Sequence, residues 1–325
     1  MSHRPPARAA ASPEHLRLLA KVARLYFEAG LKQREICEAL HISQPRVSRL
    51  LKEAQERGIV RSIVEVPEGL HIDLEERIAQ AYGLADVMIV DGDDGRSDVT
   101  AALGGATAAY LEATLTGGDV IGISTWSSTL LAAVDRMRVR ASPVAERVIQ
   151  MFGGVGNPDV QMEATRLTSR LAELTGARPV FMPCAAVVSD ASIASALSQD
   201  AGVRAVAEQW DDITVSLVGI GSLEPSPLLA RSGNAIGTTE LDGLRARGAL
   251  GDIALRYFGA DGSEISSDLD ARVIGMTGSQ LRTVPRRIAV AGGAHKSAAI
   301  RAALLGGWVT VLITDTRVAA ELLDP

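Results

Sequence analysis

From Gln44 to Gln55 the apolar positions are Val47, Leu50, Leu51 and Ala54. This is the i, i+3, i+4, i+7 stripe of an amphipathic helix. Ser43 before it is a good N-cap, and Pro45 falls in the first turn, where a missing N–H costs nothing. Gly58 marks its stop. A shorter helix precedes it in "LKQREICEAL", with Ile36, Ala39 and Leu40 on the inner side, and the link "HIS" admits only a tight turn. "PEHLRLLAKVARLYFEAG" predicts a first helix stopped by Gly30. "IVRSIVEV", residues 59–66, predicts a strand at the edge of this module. "GLHIDLEERIAQAYGL" predicts a linking helix with Leu74, Ile78 and Ala81 inward.

Beyond residue 85 the pattern changes. Short, nearly continuous apolar runs end in glycine or serine and give way to helical spacing: "DVMIVDG", "DVIGIS", "RVIQMFGG", "ITVSLVGIG", "RIAVAGG" and "WVTVLITD". Such runs alternating with helices predict a parallel sheet covered on both faces. The "DG" at 261–262 predicts a local hairpin. With 325 residues the chain exceeds what one core usually holds, roughly 250. The expected fold is α/β, a small all-α helix-turn-helix domain followed by a doubly wound, mainly parallel-sheet domain. Residues 1–12 form a disordered tail, 13–66 the helical domain, 67–84 the linker helix and 85–325 a ligand-binding and oligomerisation domain.

Charge sharpens the division. Residues 1–62 hold 12 Lys or Arg against 6 Asp or Glu, and the remainder holds 21 against 33, within a chain of net charge −6. A basic helical end on an acidic body suits phosphate-backbone binding. The third helix leaves Gln44, Arg46, Ser48, Arg49 and Lys52 outward, the arrangement of a recognition helix in a major groove. Arg favours guanine and Gln favours adenine by bidentate geometry. Gln44, Arg46 and Arg49 are therefore assigned to bases, and Ser48 and Lys52 to phosphates. Gln33 and Ser43, at the starts of the second and third helices, belong to the same expected DNA-binding set. A helical bundle that binds protein is the alternative. Cys37 and Cys184 are too few for a disulfide framework, and Cys37 is expected to pack. With no secretory leader and no apolar run of about 18 residues, a soluble cytoplasmic protein without membrane contact is expected.

"KQREICEALHISQPRVSRLLKEAQERGIV" resembles the helix-turn-helix of SorC-type, sugar-responsive bacterial transcription regulators. The later stretches characteristic of that family recur in order: "DVIGISTWSSTL", "FGGVGN", "VSLVGIGSL", "RGALGDIALRYFGADG" and "IAVAGGAHKSAAIRAALLGGWVTVLITDTRVAAELL". The resemblance covers about residues 15–323. It implies a regulator whose affinity for double-stranded operator DNA is set by a sugar, polyol or sugar phosphate. It also implies a homodimer or homotetramer, with no cofactor and no catalytic metal.

The loops carry the candidate ligand contacts. After "DVIGIS" come Ser124, Trp126, Ser127, Ser128 and Thr129 at a helix start, where hydroxyls and free amides suit an anion. Plain N-capping would need only one of these hydroxyls. Trp126 either covers a sugar face or packs. Gly292 and Gly293 allow close backbone approach, and Lys296 opens a helix where a cation is electrostatically misplaced. The spacing is not that of a Walker A loop. Gly153, Gly154, Gly219 and Gly221 end strands, as ligand loops or simple turns. Arg231 can reach an anion or be solvated. Phe152 and Glu163 are not phosphate-binding residues and keep a free sugar or polyol open as effector. The resemblance implies that Lys296 meets the effector's anionic group and that Asp252 lies near sugar hydroxyls; for Asp252 a turn or cap role is the alternative. The family's fold is similar to that of sugar-phosphate isomerases and deaminases, so an enzyme with an accessory helical domain is the competing reading. Of five histidines only His295 falls in a candidate pocket loop, and neither a Cys–His metal spacing nor a G-x-S-x-G elbow occurs. No catalytic residue is assigned.

Overall fold

The structure, a computed structural model, describes residues 12–60, 67, 69–92, 99–234 and 236–324. Residues 1–11 of the expected tail and 61–66 of the expected edge strand lie outside the described residues. The chain divides into two compact units, residues 1–67 and 68–325.

The first unit is three helices: α1 (Pro13–Ala23), continued by a π-helical turn over Arg24–Glu28, α2 (Gln33–Leu40) and α3 (Gln44–Glu56). Val47, Leu50, Leu51 and Ala54 of α3 are buried against Leu19, Val22 and Ile36, as the apolar spacing requires. One inward assignment on α2 is corrected: Ala39 is exposed, whereas Cys37 and Leu40 pack half-buried on the core. An eight-residue helix offers one narrow face, here centred on Ile36 and Leu40, and Ala39 falls outside it. The tight turn is made by His41, which takes the left-handed conformation (φ 55°), while the Ile42 amide donates to the Cys37 carbonyl at 3.2 Å. Ser43 holds the N-cap position with extended backbone, but its hydroxyl makes no capping bond. Its carbonyl instead receives the Arg46 and Val47 amides at 2.9 and 3.0 Å.

The second unit opens with α4 (Ile72–Tyr82), capped by Gly83 at φ 66°. Ile78 is buried and Leu74 half-buried, but Ala81 is exposed and Tyr82 takes its place, its hydroxyl donating to the Leu322 carbonyl at 2.8 Å. The strands are β1 (Asp86–Val90), β2 (Asp119–Ile123), β3 (Ala145–Gln150), β4 (Arg178–Val180), β5 (Val215–Gly219), β6 (Gly221–Ser222), β7 (Gly251–Ile253), β8 (Arg256–Phe258), β9 (Arg286–Val290) and β10 (Val311–Asp315). The remaining helices are α5 (Thr100–Thr114), α6 (Ser128–Val134), α7 (Pro158–Thr175), α8 (Ala191–Gln199), α9 (Ala201–Ala207), α10 (Pro227–Arg231), α11 (Thr238–Ala246), α12 (Gly278–Thr283), α13 (Ser297–Leu305) and α14 (Thr316–Leu323).

Seven strands form one sheet in the order β1-β10-β9-β5-β2-β3-β4, every pair parallel. Alternate strand residues enter two cores. Val215, Leu217, Ile288, Val290, Val311 and Ile313 join α5, α6 and α7 residues on one face, and Val218, Ala289 and Leu312 join α13 and α14 residues on the other. Burial on both faces is why these strands read as continuous apolar runs rather than alternating ones. From β2 the chain winds outward through β3 and β4, then returns to lay β5 on the other side of β2. That reversal is a topological switch point, where the carboxyl ends of β2 and β5 open a crevice.

A smaller antiparallel sheet, β6-β7-β8, continues from β5. The tight turn joining β7 and β8 is Ala254–Leu255, both left-handed (φ 52° and 65°). The expected reversal at Asp261–Gly262 is also present, an antiparallel turn with Gly259 donating to Ser263 at 2.9 Å, Ile265 donating to Tyr257 at 2.8 Å and a bridge from Phe258 to Glu264. A two-residue hairpin of this hand normally signals itself by Asn-Gly, and Ala-Leu carries no such signal.

Candidate functional site

On the helical unit, Ser43, Gln44, Arg46, Ser48, Arg49 and Lys52 are exposed, and Gln33 is half-buried at the first position of α2. Burial of Val47, Leu50 and Leu51 on one side of α3 forces these polar positions onto the other. Arg49 folds back on its own helix, its Nε donating to the Pro45 carbonyl at 3.2 Å. His15 Nε2 meets Glu53 at 2.9 Å, so a hydrogen bond ties α1 to α3 in addition to the apolar stripe.

In the second unit a cavity of about 430 Å³ lies at the switch point, within the usual range for small-molecule sites. Three loops from the carboxyl ends of β2, β5 and β9 converge there. They bring Ser124, Trp126, Ser127, Ser128 and Thr129, then Gly219 and Gly221, then Gly292 and Lys296, to one lining with Asp252 of β7. Ser127 does what plain capping requires: its hydroxyl accepts the Leu130 amide at 3.3 Å as the N-cap of the seven-residue α6. Its carbonyl takes the first helical bond, from Leu131, so the Ser128 and Thr129 amides have no helical acceptor. Lys296 is the N-cap of α13, after a short 3₁₀ turn, and its ammonium has no hydrogen bond or ion pair among the described residues.

Two glycines shape this lining. Gly221 pairs with Asp252 across β6 and β7, and a Cβ there would come within 2.0 Å of Asp252 Oδ1. Gly293 sits at φ 92°, its amide donating to the buried Asp315 carboxylate at 2.6 Å, which also caps α14 through the Arg317 and Val318 amides. Asp315 therefore fastens the turn that presents Lys296. Asp252 holds the left-handed turn in the same way, Oδ2 accepting the Leu255 amide at 3.0 Å. Burial raises the Asp252 carboxyl to about 6, against the opposing pull of the Leu255 amide and of Lys296. Burial likewise lowers the Lys296 ammonium, with Asp252 opposing. Each charge is thus disfavoured by its site and favoured by the other.

Five expected ligand residues fall outside this lining. Gly153 and Gly154 are buried packing positions, where a Cβ would come within 2.1 Å of Ala185 and of Gln150. Glu163 and Arg231 pair with each other at 3.4 Å on the surface. Gly293 lies beside the cavity and acts through Asp315. Conversely, the cavity includes residues that had not been assigned: Thr100 and Leu103 of α5, Ser222 of β6, Glu224 and Ser226 after it, and the Ala254–Leu255 turn. The cluster "GSLEPSP" after a strand was a readable loop signal. Nothing in the sequence of α5 marks two of its residues as cavity walls.

A three-helix module with a polar outward α3, followed by a doubly wound domain with a polar cavity at its switch point, defines a ligand-responsive regulator. Residues 68–324 match the Sugar-bind family of sugar-binding domains, and residues 16–68 match the MarR family. The chain is 31% identical over 316 residues to the deoxyribonucleoside regulator of Bacillus subtilis (strain 168), covering 96% of this chain and 98% of that one. It is 28% identical over 315 residues to the sorbitol operon regulator of Klebsiella pneumoniae, covering 95% and 98%. The crystal structure of the full-length sorbitol operon regulator SorC from Klebsiella pneumoniae superposes with a TM-score of 0.71 at 25% identity, covering 96% of this chain and all of that one. The chain belongs to the SorC-type family of sugar-responsive transcription regulators. It is a DNA-binding regulator with a sugar-type effector, and the isomerase-like enzyme reading is set aside because its relatives are regulators. No helix among the described residues is long and apolar enough to cross a membrane.

Proposed function

We propose that the cavity at the β2/β5 switch point is the effector site, and that it takes a small polyhydroxylated molecule, a sugar, polyol or sugar phosphate. The observation that carries this is the convergence of Lys296, without a partner of its own, and Asp252 on one cavity with the hydroxyls of Ser124, Ser127, Ser128 and Thr129. Relatives named for deoxyribonucleosides and for a sorbitol operon support an effector of this size and polarity. The chain works in the cytoplasm on a roughly palindromic operator, as a homodimer at least and a homotetramer if two dimers pair. Effector binding favours one arrangement of subunits and so changes operator affinity, and the linkage is reciprocal.

A thermal-shift screen against sugars, polyols and their phosphates tests the effector reading, since a ligand of the native state raises its stability. No shift with any of them would remove it. On the DNA side, Arg46→Ala is expected to relax specificity at one base position and cost about 1–3 kcal/mol there. Lys52→Ala is expected to weaken all sequences alike and to lower the salt slope by about one unit. Unchanged gel-shift titrations for both would dismiss α3 as the reading helix.

A further inference from the structure

The three tryptophans of this chain are all buried, none more than 7% exposed. Two have paired indoles: Trp210 Nε1 donates to the Gln150 carbonyl at 3.0 Å, and Trp308 Nε1 to the Gly262 carbonyl at 2.8 Å. The third, Trp126, is 5% exposed, lines the effector cavity, and has no acceptor for its Nε1 among the described residues. A buried donor is rarely left unpaired, because removing it from water without replacement is costly. The benzo edge of Trp126 lies against Gly156, where a Cβ would come within 2.8 Å of Cη2. The backbone is tied as well, the Ser226 hydroxyl donating to the Trp126 carbonyl at 3.4 Å.

Besides Trp126 Nε1, the buried side-chain atoms without a hydrogen-bond partner among the described residues are Thr125 Oγ1, Ser297 Oγ, Thr314 Oγ1 and one guanidinium nitrogen of Arg286, whose other terminal nitrogen donates to the Thr114 carbonyl at 3.0 Å. Thr125 precedes Trp126 in the loop after β2, and Ser297, the first residue of α13, follows Lys296, but neither is part of the cavity lining. Arg286, at the opposite end of its strand, has Asp119 at 3.5 Å. Of these atoms only the Trp126 indole nitrogen belongs to the cavity lining, and an indole N–H can only donate.

We propose that Trp126 is an effector-binding residue whose indole N–H donates to an oxygen of the bound effector, so that the site selects ligands carrying a hydroxyl, ring or carbonyl oxygen at that point. This rests on the effector reading of the same cavity. Tryptophan here supplies an apolar wall and one fixed donor, a combination that reads an oxygen's position and rejects an analogue lacking it.

The test is an indole ¹H–¹⁵N spectrum of the full chain, titrated with D-glucitol, 2-deoxy-D-ribose and their phosphates. Trp126→Phe assigns its signal, and Trp210 and Trp308 serve as internal references. The expected result is a downfield shift of the Trp126 proton with the probe that alters operator binding, while the other two move little. Trp126→Phe is expected to weaken that probe about tenfold, the loss of one neutral hydrogen bond. Without probe, Trp126→Phe should destabilise the chain less than Trp210→Phe, because it discards an unpaired donor rather than a paired one. A Trp126 signal unmoved at saturation, equal probe affinity in the Phe variant, or a stability loss as large as that of Trp210→Phe would overturn the assignment. If no probe alters operator binding by the wild-type chain, the effector reading fails and takes this inference with it.

Discussion

Lys296→Ala is expected to leave the chain folded and able to hold operator, and nearly unresponsive to its effector. The ammonium is presented by a turn that Asp315 fastens, not by bonds of its own, so removing it should not loosen the loop. What disappears is a charge-assisted bond to an anionic or hydroxyl-rich ligand in a partly desolvated cavity. Such a bond is typically worth about 1.5–3 kcal/mol, or roughly tenfold to over a hundredfold in affinity. Effector titrations of operator binding compare mutant with wild type, and circular dichroism checks the fold. An unchanged midpoint in a folded mutant would remove Lys296 from the site. Ser128→Ala should act in the same direction but more weakly, since its backbone amide remains. Loss of response to a phosphorylated probe but not to the matching free sugar would assign Lys296 to the phosphate.

The second large effect is a pH dependence carried by Asp252. Burial lifts its carboxyl from the ordinary range near 3.8 to about 6. A native-state value above the unfolded one means that protonation favours the fold. That stabilisation is fully present below the unfolded value and is lost as pH rises through about 6. Two units at about 1.4 kcal/mol each give roughly 2–3 kcal/mol lost between acid and neutral pH. Asp252→Asn keeps an oxygen for the Leu255 amide and has no titration, so its stability relative to wild type should rise across that window. Denaturant midpoints of both proteins from pH 4 to 7.5 make the comparison, and parallel curves would contradict the buried-carboxyl account. Effector affinity should move the opposite way, strengthening above about 6, where the ionised carboxylate accepts hydroxyl hydrogens.

This opposition is the physical content of the site. Asp252 and Lys296 each pay desolvation alone and relieve each other only in part, so a ligand that pairs with both recovers what the fold gave up.

Much of this was determined by the sequence itself. The stripe Val47, Leu50, Leu51 and Ala54 dictates an amphipathic α3 because each apolar residue recurs with the helical period, and the polar face follows by exclusion. The apolar runs dictate strands buried on both faces, and glycines and hydroxyls at their ends mark the loops in which Lys296 and Ser127–Thr129 occur. Short-range chemistry also fixed the stops at Gly30 and Gly58, both left-handed positions.

Tertiary structure alone decided which loops meet. The strand order places β5 beside β2 across more than ninety residues of chain, and sequence spacing carries no record of that pairing. For the same reason Gly153 and Gly154, which look like ligand loops, are packing positions against Ala185 and Gln150. Glu163 and Arg231 neutralise each other outside the cavity. The Ala254–Leu255 turn, without glycine or asparagine, is held left-handed by a carboxylate and by the strands on either side. A local signal reports what a residue prefers; which neighbour it serves is set by contacts distant in the chain, as for Asp315, whose carboxylate accepts the Gly293 amide from another strand's loop.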